Sequence, residues 1–243
     1  MILFYSPDPI FTVHVLDEQE SRHCIKSLRL RKNDQVYLTD GKGNLYLTQI
    51  VNDNMKGCSM EIIRKIEDYP RLPYHLHIGI APTKNSDRLE WFVEKAVEIG
   101  ISEITVMICE HSERTFIKPD RIERLMIAAM KQSLRTEIPI FTNKIYFNDF
   151  IEKTKDRYSQ KFIAYCGDLQ QNISLLKTAC QPAADTLILI GPEGDFTPNE
   201  VQKAIHCGFI PVSLGTFRLR TETAALAACA TVSVVSEAIP KDK

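Results

Sequence analysis

The sequence predicts an α/β protein in two parts: a small β-rich module, then a larger domain built on a mostly parallel sheet covered on both faces. Three observations carry this. From His75 onward, runs of β-forming residues alternate with helical patterns, the signature of a parallel sheet between helical layers. Two of those runs, Thr186 to Ile190 and Phe209 to Leu214, stop abruptly in glycine loops, at Gly191-Pro192-Glu193-Gly194-Asp195 and at Gly215. Before His75, Tyr69-Pro70-Arg71-Leu72-Pro73-Tyr74 sets two prolines three residues apart, which breaks both helix and sheet. The expected division is therefore a module at 1–68, a linker at 69–74 and a domain at 75–243.

Within the module, Asp17 and Glu20 have the spacing of a capping box for a helix running through His23 to Leu28. Gln35 to Thr39 and Leu45 to Val51 read as strands around Asp40-Gly41-Lys42-Gly43-Asn44, a hairpin signal, and Cys58 to Ile66 adds another strand. Arg22, Lys26, Arg29, Arg31 and Lys32 fall in one acid-free stretch. As a solvated helix end they would do nothing more; as a patch on a small β module they would hold phosphates. Residues 1–68 carry nine Lys and Arg against ten Asp and Glu, so any such patch is local.

In the larger domain, His75 to Ala81 is a strand. Asn85 or Ser86 caps a helix with Leu89, Phe92, Val93, Ala96 and Ile99 inward, ending at Gly100. Glu103 to Cys109 is a strand, and Pro119 and Asp120 open a helix with Ile122, Leu125, Met126 and Ala129 on one face. Phe162 to Cys166 is a strand, followed by Gly167-Asp168 and a short helix. After the first glycine loop, Thr197 suits an N-cap, Pro198 the first helical position and Glu200 the return half of a capping box. Val201, Ala204 and Ile205 face inward, and Gly208 closes that helix in the left-handed conformation. Glu222 to about Ile239 forms a last helix rich in Ala and Ser, capped by Thr221 and ended by Pro240.

Bulk properties exclude several classes. A hydrophobic content of 44% with 25% charged residues is that of a soluble globular chain, and no apolar stretch approaches the roughly 18 residues of a membrane span. The N-terminus has no leader pattern. Seven cysteines without a C-x-x-C pair argue against a disulfide framework and a zinc site, and point to a cytoplasmic protein with reduced thiols. A net charge of -1 gives no global attraction to nucleic acid. P-loop, dinucleotide, nucleophile-elbow and H-E-x-x-H signatures are all absent, and no metal is expected. Two successive strands releasing glycine loops toward one sheet edge remain the best candidate site, because that edge is where open α/β sheets bind ligands.

The pairing of G-P-E-G-D-F-T-P-N-E at 191–200 with L-G-T-F-R-L-R-T-E-T-A at 214–224 resembles the RsmE family of SPOUT-class methyltransferases. The resemblance covers nearly the whole chain. Arg29-Leu30-Arg31 with Asn33-Asp34 and Asp40-Gly41 are similar to the family's N-terminal PUA-like β-barrel. Lys84, Arg88, Glu90, Lys95 and Glu98-Ile99-Gly100 are similar to its first catalytic-domain helix, and Gln132-Ser133 with Arg135 to its Q-S-x-R segment. Two departures stand out: Asp195 occupies the place of a third glycine, and Phe217-Arg218 that of Arg followed by an aliphatic residue.

The resemblance implies a C-terminal SPOUT domain with a trefoil knot, a homodimer, and transfer of a methyl group from S-adenosylmethionine to N3 of a uridine in 16S ribosomal RNA of the small subunit. It implies cofactor contacts at Gly167, Ile190, Gly191, Pro192, Glu193, Gly194, Phe196, Leu214, Gly215, Leu219, Arg220 and Thr223, with Arg220 and Glu222 at the reacting base. It also favours the phosphate-binding reading of Arg22, Lys26, Arg29, Arg31 and Lys32. Two rivals stay open: a non-catalytic RNA-binding or ribosome-assembly protein that keeps the fold, and a carboxylate hydrolase using Glu193, Asp195 or Glu222.

Overall fold

A computed structural model describes residues 1–8, 12–167 and 173–237. The chain forms two compact units, one of Met1–Arg71 with Ile127–Ile138, the other of Leu72–Met126 with the chain from Pro139 onward.

The first unit is a five-stranded sheet. Its strands are β1 (Leu3–Tyr5), β2 (Val13–Val15), β3 (Gln35–Thr39), β4 (Leu45–Asn52) and β5 (Ser59–Ile66), in the order β1-β3-β4-β5-β2. Only β1 is paired in parallel, with β3. One core holds Phe4, Leu16, Cys24, Ile25, Val36, Leu38, Ile50, Cys58 and Met60. Helix α1 (Glu18–Arg22) is shorter than the sequence predicts. Its continuation, His23–Ser27, winds wider as a π-turn that buries Cys24 and Ile25. The capping box is one-sided: Asp17 accepts the Glu20 N–H at 2.7 Å, while the Glu20 carboxylate pairs with Lys131 at 2.5 Å. The 134–138 segment joins this unit through the predicted hairpin turn, where Gly43 N–H donates to Thr136 O and Ile138 N–H to Gly41 O, both at 2.9 Å.

The second unit is an all-parallel, seven-stranded sheet. In chain order it comprises β6 (His75–Ile80), α2 (Ser86–Ile99), β7 (Glu103–Ile108), α3 (Pro119–Gln132), β8 (Ile140–Tyr146), α4 (Phe147–Thr154), β9 (Gln160–Ala164), β10 (Ser174–Leu175), α5 (Leu176–Ala179), β11 (Asp185–Ile190), α6 (Pro198–His206), β12 (Ile210–Ser213) and α7 (Thr221–Glu237). The last residues of α3 belong to the first unit. The strand order is β10-β12-β9-β11-β6-β7-β8. Helix α7, with Ala225, Ala228 and Cys229 buried, packs against α2, α5, β6 and β11. Helices α4 and α6 close another core, where Phe147, Phe150, Ile151, Val201 and Ala204 meet Leu187, Leu189 and Phe209.

Most predicted elements form, with instructive exceptions. Sequence reading passed over β8 and α4. Strand β8 is an edge strand with no fully buried residue and the polar run Thr142-Asn143-Lys144. Helix α4 buries Phe147, Phe150, Ile151 and Thr154 at helical spacing but starts at Tyr146 without a side-chain cap. Asn85 caps α2, and Gly208 ends α6 at φ +83 as expected. Ile205 is 36% exposed, because the buried residues of α6 are Glu200, Val201 and Ala204. The short helix expected before β11 is α5. Asp168, the helix end near Ile239 and Pro240 lie outside the described residues. Among the described residues no helix is long and apolar enough to cross a membrane.

The N-terminal edge of the large sheet is closed by a polar network. Buried His77 on β6 is hydrogen-bonded through Nδ1 to Tyr158 Oη at 2.6 Å and through Nε2 to Thr105 Oγ1 at 2.8 Å. Buried Glu103 on β7 accepts from Arg157, lies 3.2 Å from His75 Nε2 and 3.5 Å from His77 Nδ1. Burial, with the charges of Arg157 and His75 nearby, pushes the His77 imidazole pKa down to about 3.

Candidate active site

At the opposite, C-terminal edge the sheet opens. The strand order sets β9 between β11 and β12, so the segments after three adjacent strands meet there: 165–167, 191–196 and 214–220. They enclose a cleft of about 400 Å³. Its apolar wall comes from Ile190, Val212, Leu214, Leu219 and Ala224.

The 191–196 loop is held from several sides. The capping box of α6 is complete, with Thr197 Oγ1 accepting Glu200 N–H at 3.3 Å and Glu200 Oε2 accepting Thr197 N–H at 2.9 Å. The other Glu200 oxygen accepts Glu110 N–H at 2.9 Å. Phe196 is buried beneath the loop against Phe147, ring centroids 5.6 Å apart. A Cβ at Gly191 would lie 3.0 Å from the Phe196 ring, and one at Gly194 would lie 3.2 Å from the His111 side chain. Both positions are therefore tight for anything but glycine. His111 Nδ1 lies 3.0 Å from Asp195 O and 3.1 Å from Gly194 O, so that nitrogen carries the proton and donates to the loop. Those two carbonyls, Asp195's first, raise the His111 pKa above its usual value.

Asp195 sits at φ +61 and ties two loops together, its carboxylate accepting Phe196 N–H at 2.8 Å and Cys166 N–H at 3.1 Å. Burial raises its pKa, against the pull of those two amides and of Arg218. Thr221 bridges the other pair of loops. It is the first residue of α7 and was expected to cap it, but its hydroxyl donates instead to Gly191 O at 3.1 Å. Residues 215–220 are all exposed.

Of the residues assigned to the site from sequence, Ile190, Gly191, Pro192, Glu193, Gly194, Leu214, Gly215, Leu219 and Arg220 all line the cleft. Four do not. Gly167 lies just past the lining residue Cys166, Phe196 is beneath the floor, Thr223 is exposed on α7, and Glu222 is buried with Oε1 3.8 Å from Arg88 Nε. The second Glu222 oxygen has no hydrogen-bond partner among the described residues. Sequence reasoning gave no individual cofactor role to Ala164, Tyr165, Cys166, Asp195, Val212, Ser213, Phe217, Arg218, Thr221 and Ala224, although Asp195, Phe217, Arg218 and Thr221 lie in the loops it singled out. Five of these sit at strand ends, where the predicted sheet edge was a usable signal.

In the first unit, all five predicted basic residues are exposed. They are not equivalent. Arg22 pairs with Glu18 at 2.5 Å, and Arg31 donates to Ile25 O and Leu30 O at 3.2 and 3.1 Å. Lys26, Arg29 and Lys32 form no ion pair among the described residues. Arg22 and Lys26 line a shallow hollow of about 370 Å³ with His23 and Lys131.

Residues 70–233 match an RNA methyltransferase domain family, and residues 16–63 match an RNA methyltransferase PUA domain. The chain is 30% identical to the ribosomal RNA small subunit methyltransferase E of Buchnera aphidicola, over 86% of this chain and 83% of that one. The chain belongs to the ribosomal RNA small subunit methyltransferase E family. A solved structure described as a probable rRNA-methyltransferase from Porphyromonas gingivalis is 39% identical with a TM-score of 0.90, covering 98% of this chain and 99% of that one. A family member from Neisseria gonorrhoeae, solved bound to S-adenosyl methionine, is 26% identical with a TM-score of 0.79, covering 97% and 98%. The first unit is thus the family's PUA-like β module and the second its SPOUT-type α/β domain, as the sequence resemblance implied.

Proposed function

We propose that this chain transfers a methyl group from S-adenosylmethionine to N3 of a uridine in 16S ribosomal RNA of the small subunit. The observation that carries the reading is the cleft formed where three loops converge at the C-terminal sheet edge, in a chain whose two units both match domains of RNA methyltransferases. A volume of about 400 Å³ suits a cofactor of this size class, and the cleft combines apolar walls with the glycine-bracketed segment 191–194. Ile190, Leu214 and Leu219 would hold the apolar part of the cofactor, and the 191–194 and 215 backbone its polar ends. Gly167, Phe196 and Thr223 would support those segments from outside the lining.

Bound S-adenosylmethionine supplies a methyl group on a sulfonium, which leaves as a neutral thioether. The N3–H proton of the uracil must depart to solvent before the new N–CH₃ bond is complete. Until that bond forms, negative charge is spread onto the flanking carbonyl oxygens, and Arg220, which lines the cleft without an ion-pair partner among the described residues, would stabilise it. Glu222 lies behind that wall and faces Arg88, so we assign it a positioning role and not direct proton transfer. Fixing cofactor and base in one orientation supplies much of the remaining rate.

The exposed Lys26, Arg29 and Lys32, with Arg22 and Arg31, would hold RNA phosphates. Replacing Arg29 and Arg31 with Ala should weaken RNA binding and flatten its salt dependence, by about 0.7–0.9 in log-log slope per lost phosphate contact. The trefoil knot, the homodimer and a cytoplasmic location belong to the same proposal. Helix α7, seated against α2, α5, β6 and β11 through small side chains, supports the close threading that the knot requires.

The deciding experiment is methyl transfer from labelled S-adenosylmethionine to small subunits lacking the modification, with the product nucleoside identified. N3-methyluridine is the expected product. Cofactor binding without transfer would move the substrate assignment. Absence of both would favour a non-catalytic RNA-binding protein.

A further inference from the structure

Phe217 is 85% exposed, the most exposed large hydrophobic side chain among the described residues. Single apolar residues scattered on a surface need no explanation. This one differs because it belongs to the wall of the cleft. Arg218 follows it directly and Arg220 lies two residues further on, both exposed, both lining the cleft, and neither in an ion pair among the described residues. The cleft's other aromatic side chain, Tyr165, is half-buried.

An exposed aromatic ring followed in the chain by two exposed guanidinium groups is an arrangement that captures single-stranded nucleic acid. The ring stacks a base and the cations take the adjoining phosphates. The need for such a ring follows from the chemistry of N3. That atom lies on the pairing edge of uracil, so a base must leave its helix and its stack before a methyl donor can reach it. A surface that replaces the lost stacking contact lowers the cost of extrusion.

We propose that Phe217 is the stacking platform for an unstacked pyrimidine of single-stranded RNA, with Arg218 holding the adjoining phosphate. The inference rests on the methyltransferase reading and adds the residue that accepts the extruded base. Phe217 touches the base and not the transferred methyl group, so it is a positioning residue. The other occupant able to cover an exposed ring is a second copy of this chain. Arg218 and Arg220, which follow the ring in the chain and form no ion pair among the described residues, favour an anionic partner.

A short oligouridylate carrying one 5-iodouridine, irradiated with the full-length protein, should crosslink to the peptide containing Phe217. Phe217→Ala should weaken oligouridylate binding about tenfold, the size of one lost base–aromatic stack. Phe217→Trp should retain it, and the melting temperature should be the same in all three proteins. Unchanged oligouridylate affinity in Phe217→Ala, or crosslinks confined to other peptides, would overturn the assignment. So would a lower mass of Phe217→Ala in light scattering with RNA affinity intact, which would give the ring to a subunit contact. A wild-type protein that methylates RNA while Phe217→Ala behaves identically loses the stacking role alone. A protein that crosslinks at Phe217 without binding S-adenosylmethionine keeps the platform and loses the methyltransferase reading.

Discussion

The two ends of the large parallel sheet are made from the same strands and differ in how their polar groups are satisfied. At the N-terminal edge, His75, His77, Glu103, Thr105, Arg157 and Tyr158 bond to one another, and His77 is 2% exposed. At the C-terminal edge, Arg218 and Arg220 face a cleft without ion-pair partners among the described residues, on a loop whose residues 215–220 are all exposed. A closed network adds to stability and has nothing left to offer a ligand. An open one leaves donors for a ligand and contributes little to folding. Titratable residues alone therefore do not mark a site; unfinished bonding does.

The contrast can be broken most sharply at Arg220. Arg220→Ala should lower kcat about 100- to 1,000-fold, as loss of a charge-stabilising donor does, with a melting temperature close to wild type. An unchanged rate constant in single-turnover assays would remove Arg220 from the chemistry. The converse change is Glu103→Ala, which strands the hydrogen-bond donors around it. It should cost about 2–4 kcal/mol in denaturant unfolding and leave S-adenosylmethionine affinity intact. Lost cofactor affinity in the folded variant would show that the two edges are coupled.

A third test uses pH. His77 is held neutral in the folded state, with a pKa of about 3 against 6.5 for the free side chain. The folded state therefore binds fewer protons than the unfolded one across that window. Its contribution is complete above about pH 6.5 and is lost as pH falls toward about 3. Stability measured through this range should fall more steeply in wild type than in His77→Gln. Parallel curves would mean that the network, not its histidine, governs acid sensitivity. The smallest effect is expected at Asp195, where φ +61 disfavours a side chain but the carboxylate holds Cys166 N–H. Asp195→Gly relieves the first and loses the second, so net stability should move by about 1 kcal/mol or less. S-adenosylmethionine affinity should fall as the 165–167 segment loses its tie. Equal affinity would make that tie dispensable.

What was legible in the sequence follows the range of the interaction involved. Thr197, Pro198 and Glu200 settle the start of α6 within four residues, and Gly208 its end, so both were readable. The strand β11 declares itself through its unbroken apolar run. Long-range partners stayed hidden. Nothing near Glu20 indicates that its carboxylate goes to Lys131 and leaves the capping box half made. Nothing near Thr221 shows its hydroxyl turning to Gly191, thirty residues away. The same applies to Glu222, whose place in a motif suggested chemistry while its fold position sets it behind the cleft, facing Arg88. Edge strand β8 was missed for the opposite reason: its neighbours demand little of it, so its sequence is not distinctive.

The 214–220 loop is anchored at two points. Ser213 Oγ lies 3.0 Å from Gly215 O and 3.3 Å from Gly215 N at one end, and Thr221 is fastened to Gly191 at the other. Between these anchors lie Arg218 and Arg220, two exposed trypsin cleavage sites in the wall of the cleft. Limited digestion thus reads out occupancy directly: a ligand that fills the cleft shields both bonds, and the rate of nicking becomes a titration curve for whatever binds there.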